Sequence, residues 1–225
     1  MKKQLVNFID LQEAARREDG ELLYTGACGS IVQEPRDGTI LSDILDGSAL
    51  CRLVRELKIP NLWQFSVKSA AVAEKVSAEF GLKEQMRCTQ AVYCKDQPPM
   101  RLHCDIRALT DQHSALAAAH YHLVDDSEQY IRERIAAGRM WGLFENGVLA
   151  GFIGMHTEGS MGMLEVFPEH RRKGYGYQLE AFLIAWHLER GWIPYCHIID
   201  GNNASMRLQE KLGLTFAKLP AIWVN

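Results

Sequence analysis

None of the six cysteines, at 28, 51, 88, 94, 104 and 196, forms a Cys-x-x-Cys pair, so neither a zinc framework nor a disulfide scaffold is indicated. Most of these thiols read as small buried hydrophobes. No apolar run approaches the length of a membrane span. Near the start of the chain Asn7 and Asp10 interrupt any signal-like apolar core behind the two lysines. The protein therefore reads as cytoplasmic. Charge of one sign is not in excess either: the net of −3 argues against a non-specific nucleic-acid or membrane-surface role. His120-x-His122 has residue types that ligate metals, but i,i+2 side chains diverge on a helical pattern, and no metal is expected.

What is present is material for a core. With 225 residues, 47% of them hydrophobic, the chain can form one large domain or two small ones. Residues 3 to 17 suit an opening helix, followed by extended structure from Glu21 to Val32, a turn at Asp37-Gly38 and a short apolar strand from Thr39 to Ile44. After the start signal Asp46-Gly47-Ser48, the spacing of Leu50, Leu53, Val54 and Leu57 predicts a helix. A strand through Trp63, Phe65 and Val67 comes next, then a helix with the stripe Val72, Val76, Phe80 closed by Gly81, and a strand from Gln85 to Tyr93. Asp96-Gln97-Pro98-Pro99 reads as a linker.

Beyond it, a strand from Arg101 to Leu109 leads to a helical region up to Ala137 with a break near Asp125-Asp126-Ser127. A hairpin turns at Asn146-Gly147, and a further strand covers Ser160 to Phe167. The helix from Tyr175 to Arg190 should bury Leu179, Phe182, Leu183 and Trp186. A strand over Tyr195 to Ile199, a helix capped by Asn202 with the stripe Ala204, Leu208, Leu212, and a last strand complete the chain. Helix, Ile-Pro, strand, helix, Gly-Leu, strand occurs twice, through Ile59-Pro60 and Gly81-Leu82, then through Ile193-Pro194 and Gly213-Leu214. Two related units are expected, 1–98 and 99–225.

The stretch Leu164 to Gly176 carries the chemistry. An apolar strand turns at Pro168, gathers Arg171, Arg172 and Lys173, and passes through Gly174-Tyr175-Gly176 into a long helix. Backbone N–H groups in such a turn, together with the positive end of the helix dipole, suit a phosphate. The corresponding stretch near Ile40 has neither the basic cluster nor the glycines, so only the second unit should be catalytic.

Arg171-x-x-Gly174-x-Gly176, preceded by Val166-x-Pro168-Glu169, resembles the pyrophosphate motif of the GNAT superfamily of N-acetyltransferases, and Asn202-x-x-Ser205 with Glu210-Lys211-Leu212-Gly213 resembles its second motif. A degenerate GNAT-like unit before an active one is similar to the glycine N-acyltransferase family, as is the run Pro194-Tyr195-Cys196-His197-Ile198. The resemblance implies an α/β (α+β) GNAT fold: a mixed, mostly antiparallel sheet flanked by helices and preceded by a smaller GNAT-like unit. The strands at 160–167 and 195–199 would splay to admit an acyl-CoA. The backbone of Leu164, Glu165 and Val166 would then pair with the pantetheine, and the N–H groups of Arg171, Arg172, Lys173, Gly174, Tyr175 and Gly176 would hold the pyrophosphate. Asn202 and Ser205 would lie near the pantetheine arm, although helix capping explains Asn202 equally well.

Acyl transfer needs a neutral amine, donors for the oxyanion and a proton for the thiolate. An α-amino group with a pKa of ~7.7 to 8 asks less of a base than a lysine at ~10.4. Glu158 and His156 are i,i+2 and would share a face if their strand continues. Glu158 is the first candidate base, against a solvated hairpin carboxylate beside Gly159. Glu165, within an apolar strand, is either paired and structural or desolvated and functional. His156 is the third candidate, against the commoner core histidine. Where many family members carry a proton-donating tyrosine, this chain has Gln209, which cannot titrate.

The expected activity is transfer of an acyl group, acetyl above all, from acetyl-CoA or another acyl-CoA to the primary amine of a small molecule or amino acid, without a metal. A non-catalytic acyl-CoA-binding module or sensor is the alternative. A third reading gives residues 1–98 a protein partner or a homodimer contact along their sheet edge.

Overall fold

The computed structural model describes residues 6–17, 20–36, 38–60, 62–121 and 127–225. The first residues of the expected opening helix, Asp37 of the expected turn, His122 and Asp125-Asp126 lie outside them. The elements are α1 (Ile9–Arg16), β1 (Glu21–Gly26), β2 (Gly29–Gln33), β3 (Ile40–Ser42), α2 (Gly47–Glu56), β4 (Phe65–Val67), α3 (Ala70–Phe80) and β5 (Glu84–Val92). They continue with β6 (Asp105–Ala108), α4 (Ser114–His120), α5 (Ser127–Ala136), β7 (Met140–Glu145), β8 (Val148–Met155), β9 (Met161–Val166), α6 (Tyr175–Leu188), β10 (Tyr195–Ile199), α7 (Asn203–Leu212) and β11 (Thr215–Val224). Three strands, helix, strand, helix, strand thus occurs twice, as β1-β2-β3-α2-β4-α3-β5 and as β7-β8-β9-α6-β10-α7-β11.

The chain forms two compact units. One comprises the chain up to Cys94 with Thr157–Gly159 and Tyr195–Asn225, and the other comprises Lys95–His156 with Ser160–Pro194. They cut across the expected division at 98/99, because the last strand of each repeat lies against the other's. In the first unit the strand order is β1-β2-β3-β4-β11-β5-β10. β11 is antiparallel to both β4 and β5, and β5 is antiparallel to β10. β3 and β4 run parallel. Each terminal strand thereby satisfies its backbone donors and acceptors on both sides.

Period-two alternation sorts the residues of this sheet between its faces. Ile31, Ile40, Phe65, Val67, Ile222 and Val224 pack with α2 and α3. Their neighbours Val32, Leu41, Ala221 and Trp223 pack with Leu11 and Ala14 of α1. β4 does not extend to Trp63, which is 42% exposed, and all three of its residues are buried because both sheet faces are covered.

The second unit is an antiparallel meander of β9, β8, β7 and β6. Asn146 (φ 51°) and Gly147 (φ 80°) turn the β7–β8 hairpin. α4 and α5 cover one face through Ala117, Ile131 and Ile135 against Met140, Phe152 and Met163. Trp141 points the other way, against Phe182 and Trp186 of α6. Those two α6 residues are half-buried, whereas the expected buried stripe is completed by Ile184 and His187. In α7 the expected stripe is likewise rotated: Ala204 is exposed, and Gln209 and Leu212 are buried.

Candidate active site

The stretch from Leu164 to Gly176 adopts the predicted strand, turn and helix. β9 carries a bulge: Phe152 pairs with Glu165 and Gly154 with Gly162, so Met163 and Leu164 together face Ile153. Met163 has φ 55°. Gly151 permits the approach of β9, since a Cβ there would stand 2.5 Å from the Glu165 carbonyl oxygen. Glu165 is half-buried rather than enclosed, and Leu164 and Val166 are also half-buried.

After the short turn Pro168–His170, the backbone becomes left-handed at Arg172 (φ 63°) and at Gly174 (φ 81°), the residue before α6. A Cβ on Gly174 would meet nothing within 4 Å, so the glycine is needed for its conformation and not for space. The first intrahelical bond runs from the Gln178 N–H to the Gly174 carbonyl at 3.2 Å. The N–H groups of Tyr175 and Gly176 therefore precede the helical ladder and open toward an anion.

The basic side chains are arranged differently from expectation. Arg171 Nε donates to the Val166 carbonyl at 2.9 Å. Lys173 Nζ lies 2.8 and 2.9 Å from the two oxygens of Glu145, which also meets His170 Nδ1 at 2.7 Å and accepts from the Tyr175 hydroxyl at 2.5 Å. The bonds from Lys173, Tyr175 and His170 hold the Glu145 carboxyl at about 2, and the hydrogen bond that Tyr175 donates to Glu145 pushes the Tyr175 hydroxyl up to about 12. Of the three cations, Lys173 alone forms an ion pair among the described residues. Glu145 carried no motif signal in the sequence.

Asn202 caps α7, its Oδ1 accepting the Ser205 N–H at 3.0 Å. This is the capping role left open above. The i,i+2 relation of His156 and Glu158 does not place them on one strand face, because β8 ends at Met155 and a turn follows. His156 sits in the second unit, with Nδ1 at 2.8 Å from the Tyr130 hydroxyl. Burial, helped by Arg134, lowers it to about 4, so it is neutral at physiological pH. His120 stacks on Phe167 at 4.0 Å. Among the described residues no cluster of histidine, cysteine, aspartate and glutamate is placed to hold a metal, and no helix is long and apolar enough to cross a membrane.

Glu158 belongs to a buried polar cluster in the first unit that the sequence did not announce. On the α1 face of the sheet, β10 presents Tyr195 and His197, and His197 pairs in register with Gln90 of β5. His197 Nε2 is 3.0 Å from Gln90 Oε1 and 3.8 Å from Asp10 Oδ2, and its Nδ1 is 4.0 Å from Glu158 Oε1. Gln90 Nε2 donates to the Val6 carbonyl at 2.5 Å. Lys68, just beyond β4, forms an ion pair with Asp10, and both side chains are essentially sealed from solvent. Burial alone would raise the Asp10 carboxyl, but the charges of Lys68 and His197 outweigh it and hold Asp10 below its ordinary 3.8. The Tyr195 hydroxyl donates to the Glu158 carbonyl at 2.7 Å, and Arg17 donates to the Gly159 carbonyl at 3.4 Å, which fixes the turn bearing Glu158. Two signals could have revealed this cluster: an aspartate within the apolar run Phe8-Ile9-Asp10-Leu11, and His197 within the Pro-Tyr-x-His run. Three members, Asp10, Lys68 and Gln90, come from the first half of the chain.

A mixed, mostly antiparallel sheet flanked by helices matches the fold of solved GNAT structures. Residues 106–214 match the model of the Acetyltransferase (GNAT) family. Solved structures agree on the fold. A GNAT-family protein from Novosphingobium aromaticivorans is 17% identical with a TM-score of 0.62, covering 100% of this chain and 99% of its own. A GCN5-related N-acetyltransferase from Kribbella flavida is 12% identical with a TM-score of 0.62, covering 98% and 95%. A tandem GNAT protein from the clavulanic acid biosynthesis pathway is 14% identical with a TM-score of 0.50, covering 96% and 87%. No curated protein sequence matches the chain.

Proposed function

We propose that this protein is an acyl-CoA-dependent N-acyltransferase that moves an acetyl group from acetyl-CoA to the primary amine of a small molecule or amino acid. The observation that carries this reading is the turn from Arg171 to Gly176. Two left-handed residues and the N–H groups that precede the α6 ladder form an anion-receptive end on a 14-residue helix. Each charge-assisted bond to a pyrophosphate there contributes roughly 1.5 to 3 kcal/mol. The bulged backbone at Leu164, Glu165 and Val166 supports a role for these residues along the pantetheine, with Ser205 beside the cap at Asn202. Residues 99–225 carry the family motifs, and the repeated element order supports reading 1–98 as a degenerate GNAT-like unit.

The test is acetyl-CoA binding by calorimetry, followed by an amine screen, on wild type and on a variant with Gly174→Val and Gly176→Val. Loss of binding in a folded variant places the cofactor on the turn. Binding retained at wild-type strength refutes that assignment.

One observation favours the non-catalytic sensor. Gln209 is 2% exposed, and its Oε1 has no hydrogen-bond partner among the described residues, so the position offers no proton. Tight CoA binding without turnover, unchanged by Glu158→Gln, would establish that role. The homodimer reading rests on β1, the outer strand of the first unit, and sedimentation showing a monomer at all concentrations would end it.

A further inference from the structure

We propose that Glu145 is a built-in competitor at the phosphate turn: its carboxylate holds the Lys173 ammonium, yields it to the phosphate of a diphosphate-bearing ligand, and reclaims it as the ligand leaves. The inference rests on the reading of Arg171 to Gly176 as the phosphate site and concerns the second unit alone. It gives a residue outside the motif the task of limiting affinity there.

Glu145 is fixed by the sheet. It pairs with Val148 on the last rung of the β7–β8 hairpin, before the tight turn at Asn146-Gly147. From there its two oxygens collect side-chain donors of the phosphate turn: Lys173 Nζ at 2.8 and 2.9 Å, His170 Nδ1 at 2.7 Å and the Tyr175 hydroxyl at 2.5 Å. These donors thus already bind an anion, one that the chain itself supplies. Glu145 is ionised at neutral pH, and a carboxylate can only accept, so His170 Nδ1 carries a hydrogen. The Lys173 ammonium also stands 5.9 Å from the centroid of the Tyr175 ring, beside the residue whose N–H precedes the α6 ladder.

The three partners of Glu145 are not equally open to exchange. The side chain of His170 is 14% exposed, that of Glu145 26% and that of Lys173 44%, so a ligand arriving from solvent meets the ammonium first. Lys173 also has the flexible four-carbon stem that lets an ammonium swing from one anion to another. Tyr175 begins α6 and His170 closes the short turn before it, and both rings have far less freedom. When Lys173 moves to a phosphate, these two keep the Glu145 carboxylate hydrogen-bonded, so the exchange strands no charge. One ion pair breaks and another forms. Binding therefore gains from Lys173 only the difference between its pairing with phosphate and its pairing with Glu145. Without the competitor it would gain the whole interaction.

The experiment is calorimetry on the full chain with CoA and inorganic pyrophosphate as probes, on wild type, Glu145→Gln, Lys173→Met and the double variant, each checked for folding by circular dichroism. Glutamine keeps the shape and still accepts from Tyr175 but forms no ion pair; Glu145→Ala repeats the test without that bond. Removing the competitor should tighten both probes by about 5-fold. Lys173→Met should weaken binding less in the wild type than in Glu145→Gln, since only the wild type already spends the ammonium on a carboxylate. Because the wild type exchanges one ion pair for another, its affinity should also fall less with ionic strength than that of Glu145→Gln. If Glu145 is instead a tether that shapes the turn, its removal weakens both probes. That result, or an equal cost of Lys173→Met in the two backgrounds, overturns the proposal. Tightening in Glu145→Gln with no amine acetylated by wild type leaves the competitor standing and overturns the acyltransferase reading. Acetyl transfer by wild type with CoA affinity unmoved in Glu145→Gln overturns the competitor alone.

Discussion

Replacing Lys68 with Met keeps the length of the side chain and removes its charge, leaving the Asp10 carboxylate without its lysine partner in the interior. Both side chains are at most 1% exposed, so water cannot compensate. Removing one partner of such a pair costs about 3–5 kcal/mol. In a chain of this size each kcal/mol lowers the melting temperature by about 2–4 °C, so a drop of about 6–20 °C is expected. The pH dependence gives the sign. In the wild type, Asp10 titrates below 3.8, so its stabilising contribution is present above that value and is lost as the pH falls through the folded-state pKa. In Lys68→Met the burial that opposes ionisation is no longer outweighed, and the Asp10 pKa rises above the unfolded value. The deficit of the variant should then be full at about pH 7 and shrink toward about pH 5. Combining Lys68→Met with Asp10→Asn removes both buried charges and should restore most of the loss. Circular-dichroism melts and urea titrations at the two pH values check this. A single variant within about 1 kcal/mol of wild type at both pH values, or a double variant no better than the single, would refute the reasoning.

Glu145→Gln should let the Tyr175 hydroxyl titrate near its ordinary ~10 instead of about 12, as read by ultraviolet titration, and should tighten CoA binding by releasing Lys173. Asn202→Ala should cost about 0.5–2 kcal/mol through the lost cap and leave the acetyl-CoA dissociation constant unchanged; a weakened constant would assign the side chain to the ligand. His156 is held at about 4, below its ordinary 6.5, so the stability tied to its neutral form is present above 6.5 and is lost as the pH falls toward 4, by at most about 3 kcal/mol. Tyr130→Phe removes the hydroxyl at 2.8 Å from that ring and should cost about 0.5–1.5 kcal/mol in a urea titration, with little effect on acetyl-CoA binding.

Local chemistry fixed much of this protein from its sequence. Asp46 and Asn202 cap the helices they precede, Gly81 and Gly213 end theirs in the left-handed conformation, and Asn146-Gly147 turns its hairpin. Each signal acts over a few residues, so neighbouring side chains suffice to determine it. The anion-receptive turn was legible for the same reason, since Gly174 and the start of α6 are consecutive in the chain. What the sequence could not determine was assembled over long separations. The lengths of α1 and β4, the rotation of α7 that turns Gln209 inward, and the engagement of Lys173 by Glu145 all depend on partners distant in the chain. The buried cluster depends on them most: the placement of β11 between β4 and β5, and of β5 against β10, brings Lys68, Gln90 and His197 onto the face that α1 covers with Asp10. Pattern and spacing can say that a residue is apolar or capping. Whether a charge meets its counter-charge away from water is decided by which strands lie side by side.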